Sequence, residues 1–230
     1  MSLKSKLRYA IPKEFLNRIL LNFPFFYKIS YINYESGLSH NELNDLLLNL
    51  EKTLSLKGNI IECGSSLCGT SIVMANYLIQ EKSDKIVYAC DSFEGFDKNE
   101  LKREREMNLT NPVDNAFTIT SYEYVTKKIE KLGLKNIVIP IKGFFVNTLH
   151  RLESDYCFAF IDCDLADSIF YSASAIWPKL SSNGIMVFHD YNNEKWKGAT
   201  IGIDKFVNSY EDKIKDYGIT NYGLFYVIKK

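Results

Sequence analysis

The chain has 230 residues, of which 46% are hydrophobic, and its 28 basic and 28 acidic residues give a formal net charge of zero. This length suits one domain with a buried core, and the balanced charge gives no reason to expect a nucleic-acid partner. The five cysteines form no Cys-x-x-Cys motif, which favours reduced thiols in a cytoplasmic protein. No apolar run approaches the roughly 20 residues that a transmembrane helix needs.

Residues 1–38 precede the first clear helix pattern and are rich in basic and aromatic side chains. We expect a helical arm or lid that packs on the rest of the domain or on a second subunit, so that a homodimer is favoured. The alternative is an amphipathic segment that touches a membrane or a lipid-linked substrate. A signal peptide fits poorly, because Asn22 and Pro24 interrupt the apolar run.

From Ser39 onwards the chain alternates helix and strand patterns. Ser39 and Glu42 form a capping box before a leucine-rich helix that Gly58 ends, and Thr120 and Glu123 form a second capping box. The remaining predicted helices span Thr70–Gln80, about 120–133, about 169–180 and Ile201–Tyr210. The predicted strands are Asn59–Cys63, Ile86–Cys90, Ile137–Ile141, Tyr156–Ile161, Ile185–Phe188, Tyr217–Thr220 and Gly223–Ile228.

Two polar stretches interrupt this pattern. Residues 95–115 carry a mixed charge run, which predicts a solvated loop or short surface helix and, because it follows a strand end, a lid over a ligand cleft. Ser182-Asn183-Gly184 predicts a turn. The alternating order predicts an α/β fold, a doubly wound and mostly parallel sheet with helices on both faces, and residues 39–230 form a single domain in this interpretation.

Three acids, Asp91, Asp162 and Asp190, each follow an apolar strand, and a turn with Gly64 and Gly69 follows the first strand. In an open α/β sheet such strand ends converge on one crevice. Glycine lets the backbone approach a ligand, and the helix after the turn offers N–H groups to an anion. An acid after the next strand can accept hydrogen bonds from two ribose hydroxyls. The pattern therefore predicts a nucleoside pocket at this edge of the sheet.

The residues around this turn resemble a known family. Glu62-Cys63-Gly64 with Gly69, followed by Asp91-Ser92-Phe93-Glu94-Gly95, is similar to the cofactor half of class I S-adenosylmethionine-dependent methyltransferases. The second string is especially similar to the macrocin O-methyltransferase family, which methylates sugar hydroxyls on natural products. The similarity covers about residues 37–229 and continues in Gly143–Phe145, Ile161–Leu165, Trp177–Ser181, Gly184–Tyr191 and Gly198–Phe206.

This resemblance implies a Rossmann-like methyltransferase fold with a seven-stranded sheet, S-adenosylmethionine as cofactor, and methyl transfer to a hydroxyl of a sugar or glycosylated small molecule. The residues it assigns to the cofactor are Glu62, Gly64, Ser65, Ser66, Gly69, Thr70, Asp91, Ser92, Phe93, Gly143, Phe144 and Asp162. Glu62 would line the methionine part, Asp91 would bind the ribose and Gly143 would border the adenine. Asp162 would also hold a divalent metal, usually magnesium.

One departure from the family concerns this metal. The family has two adjacent acids after the fifth strand, whereas this chain has His189-Asp190. Magnesium prefers oxygen ligands and histidine suits softer ions, so three alternatives stay open. Asp162 and Asp190 would hold a weaker metal, His189 would join them around a transition metal, or His189 would act without metal as a general base. In all three, Asp162, His189 and Asp190 are the catalytic candidates.

Other residues and functions complete the interpretation. Ala166 stands where the family often has tyrosine, which widens the acceptor side, and Asp164 is interpreted as the start of a helix. Tyr31, Tyr34 and Gly37 either close over the cofactor or simply pack. Two alternative functions are a nicotinamide-dependent oxidoreductase, which the absence of Gly-x-Gly-x-x-Gly spacing disfavours, and a catalytically inactive cofactor-binding module.

Overall fold

The structure is a computed structural model that describes residues 35–111, 116–118 and 120–230. Within these ranges seven strands form one sheet. The strands are β1 (Asn59–Cys63), β2 (Val87–Asp91), β3 (Val138–Lys142), β4 (Tyr156–Ile161), β5 (Leu180–Phe188), β6 (Ile214–Ile219) and β7 (Phe225–Lys229). Their order is β3-β2-β1-β4-β5-β7-β6, and β7 is antiparallel to β5 and β6 while the other pairs are parallel. The predicted mostly parallel, seven-stranded sheet is confirmed.

Helices cover both faces of the sheet. They are α1 (His40–Glu51), α2 (Gly69–Gln80), α3 (Lys98–Glu106), α4 (Tyr122–Lys131), the short α5 (Phe145–Thr148), α6 (Ala166–Ile176) and α7 (Lys197–Tyr210). Buried residues of α1, α2 and α4 form one core cluster, and buried residues of α6 and α7 form another. Strand β4 contributes Phe158 and Phe160 to the first cluster and Ala159 and Ile161 to the second, as alternating side chains of a strand must. The doubly wound arrangement is therefore confirmed.

The first predicted capping box is present at the start of α1. The Ser39 N–H donates to the Glu42 carboxylate over 2.7 Å, and the Glu42 N–H donates to the Ser39 hydroxyl over 3.3 Å. The helix ends at Glu51, however, and not at Gly58 as predicted. Gly58 has a φ of +108° and lies against Tyr156, where a Cβ would come within 2.7 Å of the backbone. The glycine is needed for this close approach to β4 rather than for the helix end.

The second predicted capping box is wrong by one residue. Ser121 caps α4, and its hydroxyl accepts a hydrogen bond from the Tyr124 N–H over 3.1 Å. The Thr120 hydroxyl instead donates to the Phe117 carbonyl over 2.8 Å, within the preceding turn. A short hydroxyl side chain can satisfy either partner, so the sequence pattern does not decide between adjacent Thr and Ser. The predicted stop at Gly133 is confirmed by its φ of +75° directly after α4.

The predicted turn at 182–184 lies inside β5. Tyr156 of β4 pairs with Leu180 and Phe158 pairs with Ile185, so β5 holds extra residues opposite a short stretch of β4. Asn183 has a φ of +60°, as the turn chemistry predicts. The chain bulges at this point and then resumes the same pairing, which makes β5 longer than expected.

The predicted N-terminal arm is described only from residue 35 to residue 38, and Tyr31 and Tyr34 lie outside the described residues. Residues 35 and 36 lie against the start of α2, where a Cβ on Gly69 would come within 2.1 Å of the Ser36 nitrogen. Gly37 has no atom within 4 Å of an ideal Cβ. Across the described ranges, no helix combines the length and apolarity that crossing a membrane requires.

Gly64 places the ends of β1 and β4 side by side. It has a φ of +88°, and a Cβ there would lie 1.8 Å from the Asp162 carbonyl oxygen, whereas Gly133 has nothing within 4 Å of its ideal Cβ. We expect Gly64→Ala to lower the free energy of unfolding by more than about 3 kcal/mol, because the methyl group must displace the Asp162 backbone. Gly133→Ala should cost only about 1–2 kcal/mol for its left-handed backbone. Urea denaturation compares the two, and equal losses would contradict the contact.

Candidate active site

The carboxyl ends of the central strands are level with one another. Cys63 at the end of β1 pairs with Ile161 at the end of β4. The ladder continues beyond the strands, because the Asp162 N–H donates to the Cys63 carbonyl over 2.8 Å and the His189 N–H donates to the Ile161 carbonyl over 3.1 Å. The predicted site residues placed at or just beyond this edge are Glu62, Gly64, Ser65, Ser66, Gly69, Thr70, Asp91, Ser92, Phe93, Gly143, Phe144, Asp162, His189 and Asp190.

The loop after β1 leads into α2, whose first N–H groups have no side-chain cap among the described residues. Ser66 and Cys68 have left-handed backbones, with φ of +46° and +55°, and no side chain in the described part of the chain caps α2. Its first N–H groups therefore offer hydrogen bonds and partial positive charge to an anion. Asp91 holds this loop, since its carboxylate accepts hydrogen bonds from the N–H groups of Ser66 (2.9 Å) and Phe93 (2.7 Å).

Glu62 is a buried acid beside this loop. Its side chain accepts a hydrogen bond from the Ser71 hydroxyl, and the residue is 1% exposed. Burial raises the pKa of Glu62 to about 8, the Ser71 bond opposes the shift, and repulsion from Asp162 and Asp91 adds to it. Glu62 therefore holds a proton at neutral pH until a positive charge comes close.

Several residues predicted to bind cofactor also support the backbone of this edge. Phe93 is 3% exposed and its ring packs edge-on against Tyr122, with ring centres 5.7 Å apart, so the ring belongs to the core. The Ser92 hydroxyl donates to the Gly95 carbonyl over 2.6 Å. The Gly143 N–H donates to the Asp91 carbonyl over 2.9 Å and extends the pairing of β3 with β2. A role of Phe93 in ligand contact would therefore rest on its backbone rather than on its ring.

Residues 35 and 36 form a strap across the loop after β1. The hydroxyls of Ser36 and Thr70 lie 2.8 Å apart. The buried Lys128 ammonium donates to the Glu35 carboxylate over 2.7 Å and to the Leu67 carbonyl over 2.8 Å. Burial lowers the pKa of Lys128, while the Glu35 carboxylate opposes that shift. The sequence did not predict this ion pair, because nothing in it distinguishes the buried Lys128 from the exposed lysines of α4.

Asp162, His189 and Asp190 form a compact cluster at the same edge. Nδ1 of His189 lies 3.0 Å from the Asp162 carboxylate and 3.2 Å from the Asp190 carboxylate, and one ligand atom from each residue lies within 4.8 Å of the others. Burial opposes a charge on His189, but the two carboxylates outweigh it and raise the pKa of His189 to about 12. This differs from the near-neutral pKa on which the general-base alternative depends.

Two further acids border the cluster. Asp164, expected at the start of a helix, has a φ of +62° and hydrogen-bonds with Asp190, and burial and repulsion from Asp162 raise its pKa well above the usual range. Glu42 of α1 lies 3.4 Å from Nε2 of His189. Neither acid is among the site residues predicted from the sequence, although the spacing of Asp162 and Asp164 was a usable signal. Four carboxyl groups thus surround one imidazole, and positive charge at this point is strongly favoured.

Helix α3 lies within the segment predicted as a solvated lid, and two of its acids are buried. Glu100 accepts hydrogen bonds from the Ser168 N–H (2.8 Å) and hydroxyl (2.6 Å), and Glu104 accepts one from the Ala166 N–H (2.5 Å). These bonds dock α3 on the N-terminus of α6, where acids are favoured. The predicted short surface helix is confirmed. The prediction that this helix is solvated was wrong for Glu100 and Glu104, because the charge of a side chain does not show whether it is buried. The function of the segment as a lid stays a prediction.

The sheet order and the level strand ends define a Rossmann-like α/β fold, and the match to a family model defines the class of protein, an O-methyltransferase that uses S-adenosylmethionine. The chain belongs to the macrocin-O-methyltransferase (TylF) family, whose model matches residues 41–223. The predicted family and enzyme class are thereby confirmed. Family membership is inconsistent with the nicotinamide-dependent oxidoreductase that was the alternative.

Solved structures show the same fold. The O-methyltransferase NovP has a TM-score of 0.68 at 20% identity, covering 82% of this chain and 79% of its own. CalS11, a calicheamicin methyltransferase, has a TM-score of 0.68 at 20% identity, covering 95% and 86%. The S-adenosylhomocysteine-bound Podospora anserina methyltransferase PaMTH1 has a TM-score of 0.57 at 14% identity, covering 100% and 97%. At these identities the likeness establishes the fold alone. Comparison with curated proteins finds no match.

The pKa of Glu62 leads to a prediction about cofactor binding. We expect S-adenosylmethionine binding at neutral pH to release a proton from Glu62, because the sulfonium and ammonium charges of the ligand favour the carboxylate. Glu62→Gln should bind without this release and about tenfold more weakly. Titration calorimetry in phosphate and in Tris detects proton release as a buffer-dependent enthalpy. Glu81→Gln, at the exposed end of α2, is the control, and a buffer-independent enthalpy in the wild type would contradict the prediction.

The buried Glu104 leads to a prediction about stability and pH. Burial raises the pKa of Glu104 to about 7, although the Ala166 hydrogen bond opposes the shift. The folded protein therefore keeps a proton that the unfolded chain loses at lower pH, and ionising Glu104 destabilises the fold as pH rises from about 4.5 to 7. Glu104→Gln should gain on the order of 1 kcal/mol relative to wild type between about pH 5 and pH 8. Urea denaturation measures this, with the exposed Glu106→Gln as control, and a pH-independent difference would contradict it.

Proposed function

We propose that this protein transfers the methyl group of S-adenosylmethionine to a hydroxyl of a sugar or glycoside, and that Asp162, His189 and Asp190 activate this hydroxyl. The observation that carries the proposal is the compact acid-rich cluster at the strand ends, on the same edge of the sheet as the uncapped N-terminus of α2. The sugar acceptor is supported by the macrocin-O-methyltransferase family and by CalS11, which is described as a TDP-rhamnose 3'-O-methyltransferase.

The cofactor side would be formed by the loop after β1 and the acids beside it. The N–H groups at the start of α2 would receive the carboxylate of the methionine part, and Asp91 would receive the ribose hydroxyls. Glu62 would lie near the positive charges of the methionine part. The sulfonium is already activated, so the main tasks of the protein are to align acceptor oxygen, methyl carbon and sulfur and to remove the hydroxyl proton.

Asp162 is the residue that we assign to receive this proton. Its side chain is 21% exposed, whereas that of Asp190 is 6% exposed and accepts a hydrogen bond from the Asn193 amide over 2.5 Å. Asp162 therefore has better access to an acceptor, and Asp190 is held in place. A carboxylate is a weak base, so the pKa of the hydroxyl must be lowered at the same time.

The cluster suits a divalent cation that accepts both nitrogen and oxygen ligands. Two ligands at right angles around a small divalent ion lie about 3 Å apart, and Nδ1 of His189 lies 3.0 Å and 3.2 Å from the two carboxylates. The residues that would hold the ion are Asp162, His189 and Asp190, and the imidazole favours zinc, iron or similar ions over magnesium. When bound, such an ion would lower the pKa of the acceptor hydroxyl. The surrounding acids, Asp164 and Glu42, would help to balance its charge.

The proposal predicts metal-dependent methyl transfer that requires the cluster. With TDP-rhamnose and simple glycosides as acceptors, S-adenosylhomocysteine formation should fall after EDTA treatment and return with Mn²⁺, Co²⁺ or Zn²⁺ more fully than with Mg²⁺. Asp162→Asn should lower turnover by at least about a hundredfold, because proton removal is lost, while S-adenosylhomocysteine affinity stays unchanged. Product mass spectrometry and calorimetry measure the two effects.

Asp167→Asn is the matched control, since Asp167 is an exposed acid on α6 that pairs with Arg103 over 3.0 Å and lies outside the cluster. It should keep wild-type turnover. Turnover that resists EDTA would contradict the proposed requirement for a cation. Full turnover in Asp162→Asn would contradict the assignment of this cluster as the catalytic centre. Cofactor binding with no methyl transfer to any acceptor would instead favour the inactive binding module.

A further inference from the structure

Glu42 connects the start of α1 to the proposed centre. Its carboxylate has two oxygens with different partners: Oε2 accepts the Ser39 N–H over 2.7 Å, and Oε1 lies 3.4 Å from Nε2 of His189. The first contact belongs to the capping box that begins α1. The capping box therefore fixes the direction of the second oxygen, which would otherwise be free to rotate.

The two ring nitrogens of His189 face different surroundings. Nδ1 faces the carboxylates of Asp162 and Asp190, and Nε2 faces Glu42. A neutral imidazole carries one proton, so an imidazole that binds a cation through Nδ1 must carry that proton on Nε2. A carboxylate beside Nε2 accepts a hydrogen bond from this N–H and favours that tautomer. The side chains of His189 and Glu42 are both partly buried, at 21% and 25% exposed, which limits competition from water.

We propose that Glu42 is a positioning residue that sets the orientation of His189, so that Nδ1 faces Asp162 and Asp190, and that keeps the remaining ring proton on Nε2 when Nδ1 binds a cation. This inference rests on the proposed cation site formed by those three residues. Helix α1 thereby takes part in the centre through its first turn, although it lies outside the strand ends that supply the other residues. The Ser39-x-x-Glu42 motif then has two functions: it caps α1, and its Glu42 carboxylate holds the imidazole of His189, a proposed ligand of the cation.

Ser39 offers a matched control for this proposal. Ser39→Ala removes the hydroxyl that accepts the Glu42 N–H but keeps the Ser39 N–H that holds the Glu42 carboxylate. Glu42→Gln keeps the size of the side chain but cannot offer an oxygen to both partners. Both variants weaken the cap, at a typical cost of about 1 kcal/mol, so a loss of stability alone does not distinguish them. Only Glu42→Gln should change the behaviour of His189.

The first test measures binding of Co²⁺ and Zn²⁺ by titration calorimetry, with S-adenosylhomocysteine present. We expect Glu42→Gln to bind these ions about 10–100-fold more weakly than wild type, and Ser39→Ala to bind them within about twofold. The affinity for S-adenosylhomocysteine should be the same in all three proteins. Unchanged ion affinity in Glu42→Gln, or an equal loss in Ser39→Ala, would overturn the positioning role.

The second test does not require a metal. The chain has three histidines, so ring N–H signals in nitrogen-15-labelled protein can be assigned with a His189→Gln variant. We expect a Nε2–H signal of His189 that is protected from exchange with water in wild type and Ser39→Ala but not in Glu42→Gln. If wild type binds no ion while this signal is present and depends on Glu42, the proposed cation fails and the positioning of His189 by Glu42 stands. A protected signal that persists in Glu42→Gln would overturn the inference.

Discussion

The hydrogen-bond register between β1, β4 and β5 is the constraint on which the rest of the site depends. Because parallel strands pair level with one another, the residues that follow them must leave the sheet at the same edge. The bonds from Asp162 to Cys63 and from His189 to Ile161 extend this pairing by one residue beyond the strands. Gly64 makes the arrangement sterically possible, since a side chain there would collide with the Asp162 backbone. A one-residue slip would separate the acids and turn their side chains to the other face of the sheet.

This register concentrates carboxyl groups where little water can screen their charges. Burial and mutual repulsion raise the pKa values of Glu62, Asp91 and Asp164. The carboxylates of Asp162 and Asp190 draw positive charge onto His189 and raise its pKa. Such an edge is a costly arrangement for a protein that binds nothing there, because buried carboxyl groups destabilise the fold unless they are protonated or paired. A sulfonium cofactor, and in our proposal a divalent cation, would relieve this cost. The electrostatics of the site thus favour a positively charged ligand, such as the sulfonium cofactor that the family uses.

Contacts between distant segments complete the site. The strap at Glu35 and Ser36 holds the loop after β1 through Lys128, and Glu104 docks α3 on the start of α6. Neither contact follows from local sequence, because a lysine on an exposed-looking helix and a glutamate in a charge run have the composition of ordinary surface residues. Glu42 is a third case. Its sequence context predicted a helix cap correctly, yet its contact with His189 joins residues 147 positions apart.

The sequence by itself determined the order of strands and helices, the parallel sheet, the family and the placement of Glu62, Asp91, Asp162 and Asp190 at strand ends. The family followed from the resemblance of motifs such as Asp91-Ser92-Phe93-Glu94-Gly95 to those of known methyltransferases. The other features rest on short-range patterns, namely apolar runs, glycine turns and capping residues, which can be recognised locally. Only the tertiary structure decided that Asp164 faces Asp190, that Gly58 serves a close backbone approach, and that His189 lies between carboxylates on both of its ring nitrogens. The physical reason is that protonation, burial and side-chain pairing depend on through-space neighbours, and chain folding alone brings those neighbours together.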